Sequence, residues 1–132
     1  MQACAQKPWY GNLEYLGKLP AKLSEVSGMI ALPNKAIWVI EDNGNKNKIY
    51  QINLQGSLVK EIKVDNSKNH DWEDMASDQL ENIYIGDFGN NANERKNLSI
   101  LKLQGKPLTY GEKIEAKKIK FEYPGQKKFP PK

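Results

Sequence analysis

Short apolar segments separated by polar turns run along most of this chain, and they predict β-strands. The segments are four to eight residues long, with turns rich in Gly, Pro, Asn and Asp between them, which is typical of all-β proteins. No stretch keeps a convincing helical period, so we predict very little helix. The predicted strands are residues 13–20, 27–32, 36–41, 49–54, 57–64, 74–77, 83–87, 98–103 and 116–123.

Two groups of these strands form an internal sequence repeat. Asp42 and Asp87 each end a strand, Gly44 and Gly89 follow them, and the members of each pair are 45 residues apart. A period of this length made of short strands is typical of β-propeller blades, which have four antiparallel strands each. The sequence therefore predicts blade-like repeats at about 24–64 and 71–123, with residues 13–20 as an extra strand.

The length of the chain limits how such repeats can be arranged. A propeller closes with four to eight blades, whereas 132 residues hold just under three repeats of 45. We therefore expect an incomplete propeller over residues 13–132, preceded by a leader at 1–12, whose remaining blades lie elsewhere. The alternative is an open array that covers its strand edges by self-association.

Composition and charge argue against nucleic-acid binding and against a transmembrane segment. The formal net charge is +4, and the segment from Lys113 to Lys132 holds seven lysines against Glu115 and Glu122. Because Arg95 is the only arginine and no recognition helix or aromatic RNA-binding motif is present, we interpret these lysines as the solvent face of an edge strand and expect no nucleic acid. No apolar run is long enough to span a membrane.

The single cysteine, Cys4, excludes an internal disulfide, and with one histidine a zinc site is implausible. The sequence around Ala3 and Cys4 resembles the end of a bacterial lipoprotein signal, in which the cysteine is lipidated. This predicts a lipid anchor and an extracytoplasmic location, either periplasmic, on the outer membrane or secreted. The alternative is a free thiol in an irregular leader.

The candidate ligand-binding residues lie in two segments, residues 69–74 and 87–91. In a blade, the start of the inner strand and the loop after the second strand meet at one rim, so we expect these segments to converge. Carboxylate and amide oxygens suit Ca²⁺ or another divalent cation, and strand alternation would place Asp71 and Glu73 on one face and Trp72 and Asp74 on the other. The predicted rim consists of Asp71, Trp72, Glu73, Asp74, Asp87, Asn90 and Asn91, with the Trp72 ring expected to pack between blades.

Some of the polar residues in and near these segments also have ordinary structural interpretations. Asp42, Gly44, Asp87 and Gly89 also fit ordinary turns, in which aspartate caps the turn and glycine supplies a positive φ. His70, beside Asp71, is either a weak candidate for a general base or a solvated loop residue.

The motif from Glu73 to Ala76, followed by residues 82–87, resembles bacterial secreted or lipoprotein β-propellers of the NHL, gluconolactonase and phytase-like esterase superfamily. The resemblance extends over about residues 13–132, and the longer string from Asp71 to Asn91, with Arg95, is similar to a subset of bacterial propellers. In the gluconolactonase branch a glutamate at the head of an inner strand binds a divalent metal, which the resemblance places at Glu73 or Glu25, with Asp71 and Asp87 as further candidate ligands. Asp74 departs from the glycine usual in that branch.

Three functions remain open on these observations. The first is a platform that binds a small molecule or a protein at the polar rim. The second is part of a divalent-metal-dependent hydrolase of lactonase or phosphoesterase type, and the third is a structural unit that self-associates. The sequence does not decide whether the chain is an enzyme.

Overall fold

The computed structural model describes residues 11–109, 111–125 and 127, and it is all-β with almost no helix, as predicted. Within that part of the chain, no helix has the length and apolar character needed to cross a membrane. The strands are β1 (Val26–Ala31), β2 (Ile37–Glu41), β3 (Lys48–Ile52), β4 (Leu58–Val64), β5 (Trp72–Ser77), β6 (Ile83–Asp87), β7 (Ser99–Leu103), β8 (Lys113–Ile114) and β9 (Lys117–Lys120), with 3₁₀ turns at Ala21–Leu23 and Lys106–Thr109.

The strands form two sheets, one from each predicted repeat except for β8, which lies in the second repeat and joins the first sheet. The first sheet has the order β1-β2-β3-β4-β8 and the second the order β5-β6-β7-β9, and neither closes on itself within the described residues. Neighbouring strands are antiparallel except for β4 and β8, which are parallel. Eight of the nine predicted strands are therefore present, and β9, exposed throughout, is the lysine-rich edge strand that the sequence indicated.

Strand β8 was not predicted, and it joins the second repeat to the first. The chain leaves β7, returns to the outer edge of the first sheet, and only then forms β9. Backbone bonds of 2.9 Å run from Lys63 N to Glu112 O and from Asp65 N to Ile114 O. The side-chain amide of Asn66 accepts from Ala116 N at 2.8 Å and donates to Ala116 O at 2.9 Å. Two residues are too short a run to be recognised as a strand from their pattern.

The main hydrophobic core lies between the two sheets. Burying each of its large side chains contributes about 1.5–3 kcal/mol, so this interface holds the two repeats together. The first sheet supplies Trp38, Ile40, Ile49, Ile62 and Val64, and the second supplies Trp72, Met75, Ile83, Ile85, Leu101 and Leu103.

The other face of the first sheet is covered by the segment that precedes it. Leu23, Val39, Tyr50 and Ile52 form a second cluster there, with Leu19 packed against it. The prediction of a strand at 13–20 is wrong. Leu13 is 99% exposed, and a Cβ on Gly17 would lie 2.1 Å from the carbonyl oxygen of Gln55, so the backbone crosses a turn closely instead of pairing along an edge.

Strand pairing corrects the register of the repeat by one residue. The first strand of each sheet has a bulge at the same place: Val26 pairs with Glu41 in the first sheet, and Trp72 pairs with Asp87 in the second. Glu41 is therefore the counterpart of Asp87, and the two are 46 residues apart rather than 45. Matching the Asp and Gly residues of the turns gives a spacing of 45, whereas matching the hydrogen-bonded strand positions gives 46.

Each sheet thus ends its second strand with a buried carboxylate that has a specific partner. Glu41 is 4% exposed, and the Tyr50 hydroxyl donates a hydrogen bond to it. Burial, followed by the charge of Glu41 and this hydrogen bond, raises the pKa of Tyr50 to about 12. Because the folded pKa lies above the ordinary value of 10.0, the corresponding stabilisation is complete below pH 10 and is lost as the pH rises toward 12.

We predict that Tyr50→Phe lowers the free energy of unfolding by about 1–3 kcal/mol at neutral pH, because Glu41 loses a hydrogen bond while buried. The variant should also lack the loss of stability that Tyr50 causes at high pH. Urea unfolding at several pH values measures both effects. Tyr123→Phe, at an exposed ring, is the matched control and should change neither. Equal behaviour of the two variants would contradict a special role for Tyr50.

Candidate functional site

Three carboxylates from the two repeats meet at one end of the sheets. Asp42 follows β2, Asp71 precedes β5, and Glu73 lies in β5; one oxygen of each is within 4.8 Å of the others. The structure therefore brings together Asp71 and Glu73, as strand alternation indicated. It adds Asp42, which the sequence had placed among the turn residues.

Asn69 fixes the relative position of the two segments that carry the cluster. Its amide nitrogen donates to the carbonyl oxygens of Glu41 and Asp42 at 2.8 and 3.0 Å, and its Oδ1 accepts from Trp72 N at 3.1 Å. A single side chain thus connects the end of β2 to the start of β5. These bonds hold the backbone segments that carry the carboxylates next to each other.

Gly89 is required at the cluster because of space. A Cβ at this position would lie 2.1 Å from Cγ of Asp71 and 2.5 Å from Oε1 of Glu73. Gly89 N also donates to the carbonyl oxygen of Asp71 at 3.1 Å. The expectation of a positive φ holds at Gly44, where φ is +86°, and does not apply to Gly89. Any side chain at this position would collide with the two carboxylates.

The crowding of negative charge changes the acidity of Asp71. Burial contributes most to raising its pKa, followed by a hydrogen bond with Asp42 and the charges of Glu73 and Asp42, while Arg95 acts in the opposite direction. Asp71 therefore holds a proton at a higher pH than an ordinary aspartate does. Binding a cation would relieve this repulsion.

Asp87 lies behind the cluster and forms a buried ion pair. Its side chain is 2% exposed, and Oδ1 accepts from Arg95 Nη2 at 2.9 Å and from Asp71 N at 3.2 Å. Arg95 also donates from Nη1 to the Gly89 carbonyl at 2.7 Å and from Nε to Asn97 Oδ1 at 3.2 Å. The Asp87 carboxylate thus serves to position the loop, and it is not one of the three clustered groups. Arg95 stood out in the sequence because it is the only arginine. Its ion pair with Asp87 could not be predicted from that observation.

Trp72 packs in the core between the two sheets, as the expected packing between repeats indicated, so its ring is not exposed at the rim. It is 0% exposed, and its Nε1 has no hydrogen-bond partner among the described residues. The bulge in β5 between Trp72 and Asp74 breaks the alternation, so Trp72 and Met75 both enter the core. Asp74 is consequently exposed instead of sharing a face with Trp72, and its Oδ1 accepts from Met75 N at 2.8 Å.

The remaining predicted residues lie around the cluster. Glu25 is outside it and accepts a hydrogen bond from Asn45 Nδ2 at 2.8 Å. Asn90 accepts from Arg95 N at 2.8 Å, which closes the loop, while Asn91 is exposed. His70 lines a separate cavity. Cys4 and most of the predicted leader lie outside the described residues.

Comparisons with protein-family models, curated proteins and solved structures found no match to this chain. The chemistry of the site therefore follows from its own residues and their geometry.

We predict that Arg95→Met lowers the free energy of unfolding by about 3–5 kcal/mol, because the buried Asp87 carboxylate loses its cation. Urea unfolding followed by circular dichroism measures the change. Adding Asp87→Asn to Arg95→Met should recover part of the loss, since the uncompensated charge is then absent. Lys117→Met, on the exposed edge strand, is the control and should stay within about 0.5 kcal/mol of the wild type. A loss of similar size in both single variants would contradict the role of the ion pair.

Proposed function

We propose that this chain is part of an extracytoplasmic β-propeller that acts as a binding platform, with a divalent cation held at the rim by Asp42, Asp71 and Glu73. The observation that carries the proposal is the meeting of these three carboxylates from two repeats at one end of the sheets. The extracytoplasmic location rests on the resemblance around Cys4 and on the similarity of the motif from Glu73 to Ala76 to secreted or lipoprotein propellers.

The propeller arrangement is supported by the way in which the two sheets face each other. Val39 pairs with Tyr50 in the first sheet, and Ile85 pairs with Leu101 at the equivalent place in the second. Val39 and Tyr50 face away from the second sheet, whereas Ile85 and Leu101 lie in the core shared with the first. The two sheets are therefore stacked with the same orientation, as successive blades of a propeller are. A further sheet could be added to the stack in the same orientation.

The outer face of the second sheet is the place where the next sheet would pack. Tyr84, Gly86 and Ile100 are there, at the positions that Trp38, Ile40 and Ile49 use in the first sheet to contact its neighbour. A mostly apolar depression of about 120 Å³ lies on this face. We propose that its occupant is another four-stranded sheet of the same repeat, presenting an aliphatic face like that of Ile85 and Leu101.

The rim is suited to a hard cation. Calcium takes oxygen ligands at 2.3–2.6 Å, and flexible sites complete their coordination with carbonyl oxygens and water. Three carboxylate oxygens within 4.8 Å of one another can share such an ion. A cation there would leave coordination positions for an oxygen-bearing ligand, which is how a platform would bind its partner.

We predict that Ca²⁺ binds the full chain saturably in calorimetric titration, with a dissociation constant on the order of 10⁻⁴–10⁻³ M, as in extracellular calcium modules. Asp42→Asn and Glu73→Gln should abolish the binding heat. Asp74→Asn, which removes the same charge from an exposed neighbour outside the cluster, should retain it. No heat from the folded wild type, or equal loss in the Asp74 variant, would refute the cation site. Catalytic turnover of a lactone or phosphoester that a chelator stops would favour the hydrolase alternative.

We predict that calcium affinity falls with decreasing pH, beginning at a higher pH than the ordinary aspartate value of 3.8 would give. The reason is that Asp71 must lose its proton to bind the ion, and its pKa is raised. Titrations at several pH values measure this dependence. Asp74→Asn should show the same profile as the wild type. An affinity that stays constant until the pH reaches 3.8 would contradict the participation of Asp71.

We predict that Ile100→Lys changes the unfolding midpoint of the chain little, whereas Ile49→Lys at the equivalent buried position costs about 4 kcal/mol or more. Ile49 is 0% exposed within the core between the sheets, while Ile100 is only partly buried on the open face. Sedimentation of the wild type as a monomer of 15.0 kDa would support a missing sheet. A larger assembly that Ile100→Lys dissociates would favour the self-associating alternative.

A further inference from the structure

A polar cavity lined in part by Asp87 shares no lining residue with the acidic cluster. Its volume is about 180 Å³, and it is lined by His70, Asp87, Asn97, Ser99, Lys118 and Lys120. Neither the cation site nor the packing of the sheets uses His70, Lys118 or Lys120. The cavity therefore needs a separate explanation.

Strand register places four of these side chains on one surface. Asp87 pairs with Ser99 across β6 and β7, and Ser99 pairs with Lys120 across β7 and β9. Directly paired residues present their side chains on the same face of a sheet, and residues two apart on a strand share that face. Lys118 therefore lies on the same face as Lys120, and the row runs from a carboxylate through a hydroxyl to two ammonium groups.

The charges around this row leave it positive. The charge of Asp87 is compensated by Arg95, whose Nη2 lies 2.9 Å from Oδ1. Asn97 accepts from Arg95 Nε at 3.2 Å through its Oδ1, which directs its amide nitrogen away from the guanidinium. The lysines add two positive charges, and the Ser99 hydroxyl, in a residue only 6% exposed, adds a further donor at the base.

We propose that this cavity binds a small oxyanion group, either free phosphate or the phosphoryl group of a larger ligand. Ammonium, hydroxyl and amide donors converging on one small cavity are the groups that bind phosphate oxygens. Arg95 connects the two sites, because it neutralises the carboxylate that would otherwise repel an anion here. The proposal does not depend on the cation site, and it goes beyond a general platform by naming the chemistry of the ligand.

The first experiment is a titration of the full chain with inorganic phosphate at constant ionic strength, followed by amide chemical shifts in NMR. Saturable shifts at Ser99 and Lys120 are expected. Lys118→Gln and Lys120→Gln should each weaken binding about tenfold, since a hydrogen bond to a charged group is lost. Ser99→Ala should weaken it as well.

Lys117→Gln is the matched control, because Lys117 lies on the same exposed strand but on its other face. It removes the same charge and should leave phosphate affinity unchanged. Equal weakening in Lys117→Gln and Lys120→Gln, or no saturation in the wild type, would overturn the proposal. Calcium titration of Lys120→Gln separates the two sites, because the cation site should be unaffected. A phosphorylated ligand that binds more tightly than phosphate, with the same dependence on Lys120, would identify a phosphoryl group on a larger molecule.

Discussion

The ion pair of Arg95 and Asp87 is the interaction on which the loops at the acidic end of the two sheets depend. Arg95 reaches the Asp87 carboxylate and the carbonyls of Gly89 and Asp87, so one side chain fixes the whole loop that follows β6. Asp87 in turn accepts from Asp71 N, which sets the start of β5. A buried charge pair of this kind contributes little net stability, but removing one partner is costly. The pair connects the loop after β6 to the start of β5, near which the acidic cluster lies, and Asp87 also lines the polar cavity.

Much of the fold could be predicted from the sequence because strand patterns are local. Apolar runs such as residues 36–41 and 98–103 reveal their strands through β-branched and aromatic residues bounded by turns. The repeat could be recognised because the turns after β2 and β6 carry the same letters. Strand β8 and the bulges at Val26 and Trp72 could not, since they depend on pairing with distant residues. The segment at 13–20 alternates like a strand, yet it pairs with neither sheet in the described structure. The prediction was wrong because a local pattern does not show whether a partner strand is present.

The candidate site was accessible to sequence reasoning in part, for a similar reason. Asp71 and Glu73 are close in the chain, so their shared face follows from their spacing. Asp42 joins them only because the first repeat packs against the second. Gly89 carried a familiar turn signal, although its actual requirement is the space beside two carboxylates. The bulge after Trp72 shifts the alternation by one residue, so Asp74 does not share the face of Trp72 that their spacing indicated.

The return of the chain through β8 has a consequence for how the molecule unfolds. Repeat proteins whose units contact only their neighbours can lose one unit while the next stays folded. Here, a segment of the second repeat is hydrogen-bonded into the first sheet, and Asn66 binds Ala116 on both its N–H and its carbonyl. Unfolding of the second repeat therefore also removes β8 from its pairing with β4 at the edge of the first sheet. The two repeats should behave as a single cooperative unit, and no cut between them in the sequence would yield two independent sheets.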